Sequence, residues 1–117
     1  MNYLNKKMRN YTILILLMYL AVSCTNKKSE VFLSTNTSNT LEVSVSASQA
    51  VAFDPWLAEI SVRNLNTGKT FTVEQEVVIE ELTLENLKFK WVSDNKCFVK
   101  ITQKDGTITS VPIIIQL

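Results

Sequence analysis

Leu41-Glu42-Val43-Ser44-Val45-Ser46-Ala47 alternates without exception between apolar and polar residues, and this period of two is what most restricts the fold. A helix would scatter these side chains around its circumference, whereas a strand sends Leu41, Val43, Val45 and Ala47 to one face. The same period recurs down the chain. Ile60 and Val62 alternate with Ser61 and Arg63, Phe71 and Val73 flank Thr72, and Leu87, Phe89 and Trp91 alternate with Lys88 and Lys90. Asn66-Thr67-Gly68, Asp94-Asn95 and Lys104-Asp105-Gly106 supply turn chemistry between these runs. Roughly seven short strands with turn signals between them, and no long helical pattern after residue 23, predict an all-β fold. The expected architecture is a small antiparallel β-sandwich, immunoglobulin-like or transthyretin-like, although the cysteine-tryptophan-cysteine spacing of antibody domains is absent.

Side-chain parity sets the expected register. A four-residue loop at 65–68, with Gly68 at positive φ, places Val62 opposite Phe71 and Ile60 opposite Val73, so apolar partners share the core side. A shift of one residue would mix the faces. In the last thirty residues, a bare two-residue turn at Asp94-Asn95 would set Lys90 beside Val99, so a bulge or odd-length loop is expected near 93–96. A three-residue loop at Lys104-Asp105-Gly106 pairs Val99 with Val111 and Cys97 with Ile113. Pro112 has no amide hydrogen to give a ladder, so its strand is expected at a sheet edge or bulged. Residues 77–79 read as a further strand, 80–86 as a strand and bend or a helical turn, and 34–40 as a loop or flexible linker.

The amino terminus has a different pattern. Lys6, Lys7 and Arg9 precede an apolar run over residues 11–22, and no acidic residue occurs before Cys24. A membrane-spanning helix needs about 20 apolar residues; this run has the length of a signal-peptide core. The final residues, Leu20-Ala21-Val22-Ser23-Cys24, resemble the lipobox of bacterial lipoproteins. That resemblance implies a diacylglycerol thioether on Cys24, cleavage before it and acylation of the new amino terminus. Thr25 after the cysteine, rather than aspartate, implies outer-membrane delivery in a Gram-negative host. Two chains give the double signal that stable attachment requires. The alternatives are a retained anchor and an ordinary signal peptide that leaves Cys24 a plain thiol. The expected organisation is therefore a signal peptide over 1–23, the lipidated cysteine, a tether and a first short strand over 24–40, and the sandwich over 41–117.

Removal of the signal takes three basic residues with it. Nine Lys/Arg then face eleven Asp/Glu, a net charge of −2, and Arg63 is the one arginine left. That balance gives no footprint for nucleic acid. The chain has no histidine, and with Cys24 lipidated Cys97 has no cysteine to pair with. No catalytic residue, metal ligand or cofactor is therefore assigned. Cys97 is read as a small buried hydrophobe. Glu74, Glu76, Glu80, Glu81 and Glu85 form the densest acidic group and are read as a solvated face, with a weak calcium site or an enzyme carboxylate pair as the alternatives, although the Asp-rich loop of an EF-hand is absent.

The sharper feature lies near the carboxyl terminus. If Leu87, Phe89, Trp91, Val99 and Ile101 point inward, then Lys88, Lys90, Phe98 and Lys100 point outward, with Pro112 and Ile114 beside them. Exposed lysines serve solubility and discourage edge pairing; interleaved with Phe98 and Ile114 they make a candidate docking surface for an acidic partner, with an approach to lipid headgroups as the further alternative. Trp56, after Asp54-Pro55, is read as capping one end of the sandwich, with an exposed loop anchor as the alternative. The layout of residues 41–45, the Asp54-Pro55 loop and Ile60, Val62 and Leu65 is similar to the small type VI secretion lipoproteins. That resemblance implies a transthyretin-like sandwich tethering a secretion complex to the outer membrane. The expected function is a lipid-anchored, non-enzymatic envelope module that binds a protein or glycan partner; a small envelope hydrolase or inhibitor is the alternative.

Overall fold

Eight strands build the domain: β1 (Lys27–Lys28), β2 (Phe32–Thr35), β3 (Leu41–Gln49), β4 (Trp56–Asn64), β5 (Thr70–Val77), β6 (Leu87–Ser93), β7 (Lys96–Thr102) and β8 (Ile108–Ile114). The computed structural model describes residues 27–116. The expected signal segment and Cys24 lie outside the described residues. Among the described residues there is no helix, and the strands form two antiparallel sheets. One has the order β1-β3-β4-β5, with β2 also pairing β3; the other is β6-β7-β8. The expected antiparallel sandwich is the observed fold. Its path is two consecutive meanders joined by one crossover at 78–86, with no Greek-key return within either sheet.

The domain boundary expected at Leu41 falls inside the first sheet. β1 and β2 lie in line along the same edge of β3, Lys27 opposite Gln49 and Phe32 opposite Val45. Between them Ser29 keeps the ladder closed: its amide donates to the Ala47 carbonyl at 2.8 Å, and its hydroxyl accepts from the Ala47 amide at 2.8 Å. The segment 36–40 is a tight turn rather than a flexible linker. Asn36, buried in a run of Ser, Thr and Asn, accepts from the amides of Thr40 and Leu41 at 2.8 and 3.1 Å. A side-chain oxygen thus completes the turn that backbone groups alone leave open.

The core lies between the sheets. Leu41, Val43, Val45 and Ala47 of β3 and Ala58, Ile60 and Val62 of β4 bury one face, against Leu87, Cys97, Val99, Ile101 and Ile113 of the second sheet. Each fully buried Val, Leu or Ile contributes about 1.5–3 kcal/mol of transfer free energy. Ile60 faces Val73 and Val62 faces Phe71, the expected register, and the hairpin turns through Gly68 at φ 76°. The coverage differs from the expectation. Ile60 and Val62 are 0% and 2% exposed, yet Phe71 and Val73 on the same side remain 44% and 36% exposed. The three-stranded sheet leaves the outer half of β5 open, because three strands cannot roof a wider sheet.

The second sheet follows parity closely. The Asp94-Asn95 turn is combined with a bulge at Val92, so that Trp91 opposes Cys97 and Ser93 opposes Lys96. Val99 opposes Val111, Cys97 opposes Ile113, and β8, which carries Pro112, is an edge strand. Gly106 has φ 87° in the short β7–β8 loop, where the Asp105 carboxylate accepts from the Thr107 amide and hydroxyl at 2.9 and 2.5 Å. These bonds lower the Asp105 pKa from its ordinary value, the hydroxyl contributing most. Residues 80–86 form neither a strand nor a helix. They make a single turn, with the Leu87 amide donating to the Thr83 carbonyl at 3.0 Å, while Ile79 and Leu82 fill one end of the core.

Candidate functional site

Phe98 sits in the middle strand of the second sheet with its ring on the outer face. Lys90 lies directly across from it on β6 and Pro112 on β8. Two residues away along β7 on the same face are Lys96 and Lys100, and Lys100 in turn opposes Lys88. Lys88, Lys90, Phe98 and Lys100 are therefore contiguous. Phe98 and Lys100 are half-buried by their neighbours, while Lys88 and Lys90 are exposed. No carboxylate occurs anywhere in β6, β7 or β8.

Lys96 also belongs to this face. Its ammonium stands 5.3 Å from the Phe98 ring centroid, within range of a cation–π contact. Parity with Phe98 and Lys100 along β7 is the sequence signal for it, masked because Lys96 also falls within the expected turn at 93–96. Lys88 Nζ donates to the Leu84 carbonyl at 3.0 Å, which leans that side chain toward the crossover. Behind the sheet, Trp91 Nε1 donates to Ser34 Oγ at 2.9 Å and holds β6 against β2. The face thus has a partly buried aromatic centre and four surrounding ammonium groups.

The opposite outer face carries more carboxylates than cations, with Glu42 paired across from Arg63. Glu59 of β4 is directly opposed to Glu74 of β5, and Glu76 lies on the same face two residues beyond. Glu80, Glu81 and Glu85 are separate from these, along a shallow concavity of about 470 Å³ shared with Lys104. The acidic group read from sequence is therefore split between a sheet face and a crossover. Among the described residues no three His, Cys, Asp or Glu side chains converge to hold a metal ion.

Cys97 is fully buried in the core, and burial pushes its thiol up to about 11, against a smaller opposing effect of the Lys90 backbone. Its reactive thiolate is thereby suppressed at neutral pH. Trp56 is buried opposite Val77, so it closes one end of the core and is no exposed anchor. The exposed aromatic of that loop is Phe53, which sequence reading passed over. No protein-family model, curated protein or solved structure matches the chain.

Proposed function

We propose that the chain is a lipid-anchored envelope lipoprotein, held at a membrane through Cys24, whose sandwich is a non-enzymatic binding module for an acidic partner. The anchor rests on the basic Lys6, Lys7 and Arg9, the apolar run that follows them and the lipobox ending at Cys24. The observation that carries the binding reading is the outer face of β6–β8, where Lys88, Lys90, Lys96 and Lys100 surround Phe98 without a carboxylate in any of the three strands. An aromatic centre with a charged rim is the composition of a docking patch. On the other sheet Glu42 is paired across from Arg63, so β6–β8 is the sheet whose outer face holds one sign of charge alone.

Two measurements test the two halves. Cys24→Ser abolishes palmitate labelling if the anchor is right; equal labelling of the variant overturns it. After detergent extraction, the wild type copurifies with an acidic envelope protein or glycan, and the Lys88→Glu, Lys100→Glu pair loses it in a salt-sensitive way. Capture unchanged in that variant overturns the docking face.

A further inference from the structure

The loop between β3 and β4 carries an arrangement that the fold itself does not need. Its turn closes with the Asp54 amide donating to the Val51 carbonyl at 3.2 Å, and Gln49 Nε2 donates to the Asp54 carbonyl at 2.8 Å beneath it. Phe53 holds the third position of that turn at φ 73°, a conformation that favours glycine and strains a bulky residue. Its ring nonetheless packs on nothing and is fully exposed, as Val51 is largely exposed. Strain and an aromatic ring in water are both unfavourable. A residue that satisfies neither local geometry nor packing is held for a contact outside the chain.

The register of β1 says what that contact is. Lys28 pairs with Ser48 and Lys27 with Gln49, antiparallel, so β1 begins at the end of the sandwich where β3 enters this loop. Cys24 is three residues further on, a reach of at most about 10 Å. A lipid on Cys24 would therefore be tethered within that reach of the end that presents Val51 and Phe53. We infer that this loop is a second membrane contact: Phe53 and Val51 enter the interfacial layer of the bilayer beside the lipid anchor and fix which end of the sandwich faces it. The inference rests on the lipoprotein reading of Cys24.

The surroundings set the character of the contact. One concavity is lined by Lys27, Phe53, Asp54, Val78, Glu80 and Lys104, with Val78 also exposed. Two ammonium groups and two carboxylates cancel there. Attraction to anionic headgroups therefore contributes little, and apolar insertion with aromatic placement at the headgroup level dominates.

The test uses the full-length protein, extracted from its membranes and reconstituted into phosphatidylethanolamine–phosphatidylglycerol vesicles with brominated acyl chains. Tryptophan is placed at the tip (Phe53→Trp, or Val51→Trp as a second reporter) and at the opposite end (Asn66→Trp), and the wild-type emission of Trp56 and Trp91 is subtracted. Quenching at position 53 or 51 is several-fold greater than at 66 and persists at high salt. Equal quenching at all three positions, with a lipidated amino-terminal peptide in the mass spectrum, overturns the loop contact and leaves the anchor standing. An unlipidated amino-terminal peptide overturns the anchor reading and this inference with it.

Discussion

The Asn36 amide donates to the Asp94 carbonyl at 2.7 Å, linking residues 58 apart in sequence and one sheet to the other. Asn36 lies in the β2–β3 turn and Asp94 in the β6–β7 turn, so this bond aligns the ends of two hairpins that share no ladder. The same side chain accepts from two amides of its own turn. No buried side-chain nitrogen or oxygen among the described residues lacks a partner, and Asn36 is the one buried polar residue among them.

Asn36→Ala is therefore expected to lower stability by about 2–3 kcal/mol, because it strands several polar groups at once. Asn36→Asp keeps the acceptor but loses the donor to Asp94 and places a carboxylate beside a carbonyl, so it is at least as harmful at neutral pH. Urea unfolding of the variants checks this. A loss under about 0.5 kcal/mol for Asn36→Ala would show that the turn closes without its side chain.

Cys97 gives a prediction in pH. Its folded thiol is raised by burial from about 9 to about 11, so below pH 9 folded and unfolded chains both hold the proton. Between pH 9 and 11 the unfolded chain releases it first, and the stability that Cys97 supplies is progressively lost as pH rises. Cys97→Ala should show a shallower decline over that window than the wild type, although the removed sulfur makes it less stable throughout. Parallel unfolding curves for the two from pH 8 to 11 would show that the thiol is not buried. Native protein at pH 8 should likewise resist thiol reagents at this position until it unfolds.

Parity explains why so much of this fold was legible. The pairing of Val62 with Phe71 and of Cys97 with Ile113, the need for a bulge before Lys96 and the edge placement of Pro112 all follow from which neighbours can share a face. Coverage does not follow from parity. Phe71 and Val73 have the alternation of core residues and still face an unroofed edge, because roofing depends on how many strands the other sheet has. Composition misled at Asn36, where a polar run that looks like a linker folds into a hydrogen-bonded turn. On the candidate site, outward parity singled out Lys88, Lys90, Phe98 and Lys100; Lys96 shares that parity along β7 but falls within the expected turn, and Phe53 lies in a loop where alternation carries no information.

Lys88 and Lys100 are directly opposed across β6 and β7, a like-charge pair that costs stability. Lys88→Glu turns it into an attractive pair and should stabilise the domain by about 0.2–1 kcal/mol, less the lost hydrogen bond to the Leu84 carbonyl. The same variant should weaken capture of an acidic partner. A gain in stability with a loss of binding is the signature of a surface kept for function. If Lys88→Glu is destabilising and leaves capture unchanged, the lysines are merely solvated.

Phe98 and Ile101 separate fold from function most sharply, because the pleat sends them to opposite sides of one strand. Ile101 is fully buried, and Ile101→Ala should cost about 2–5 kcal/mol through the cavity it leaves. Phe98 is half-buried on the outer face beneath the Lys96 ammonium, so Phe98→Ala forfeits one cation–π contact and partial burial, about 1–2 kcal/mol together. Binding should reverse the order: Phe98→Ala abolishes capture by a folded domain, while Ile101→Ala, assayed at a temperature where it remains folded, captures as the wild type does. The inverse result, with Phe98 costing as much stability as Ile101 and no binding, would move the ring into the core and remove the docking surface.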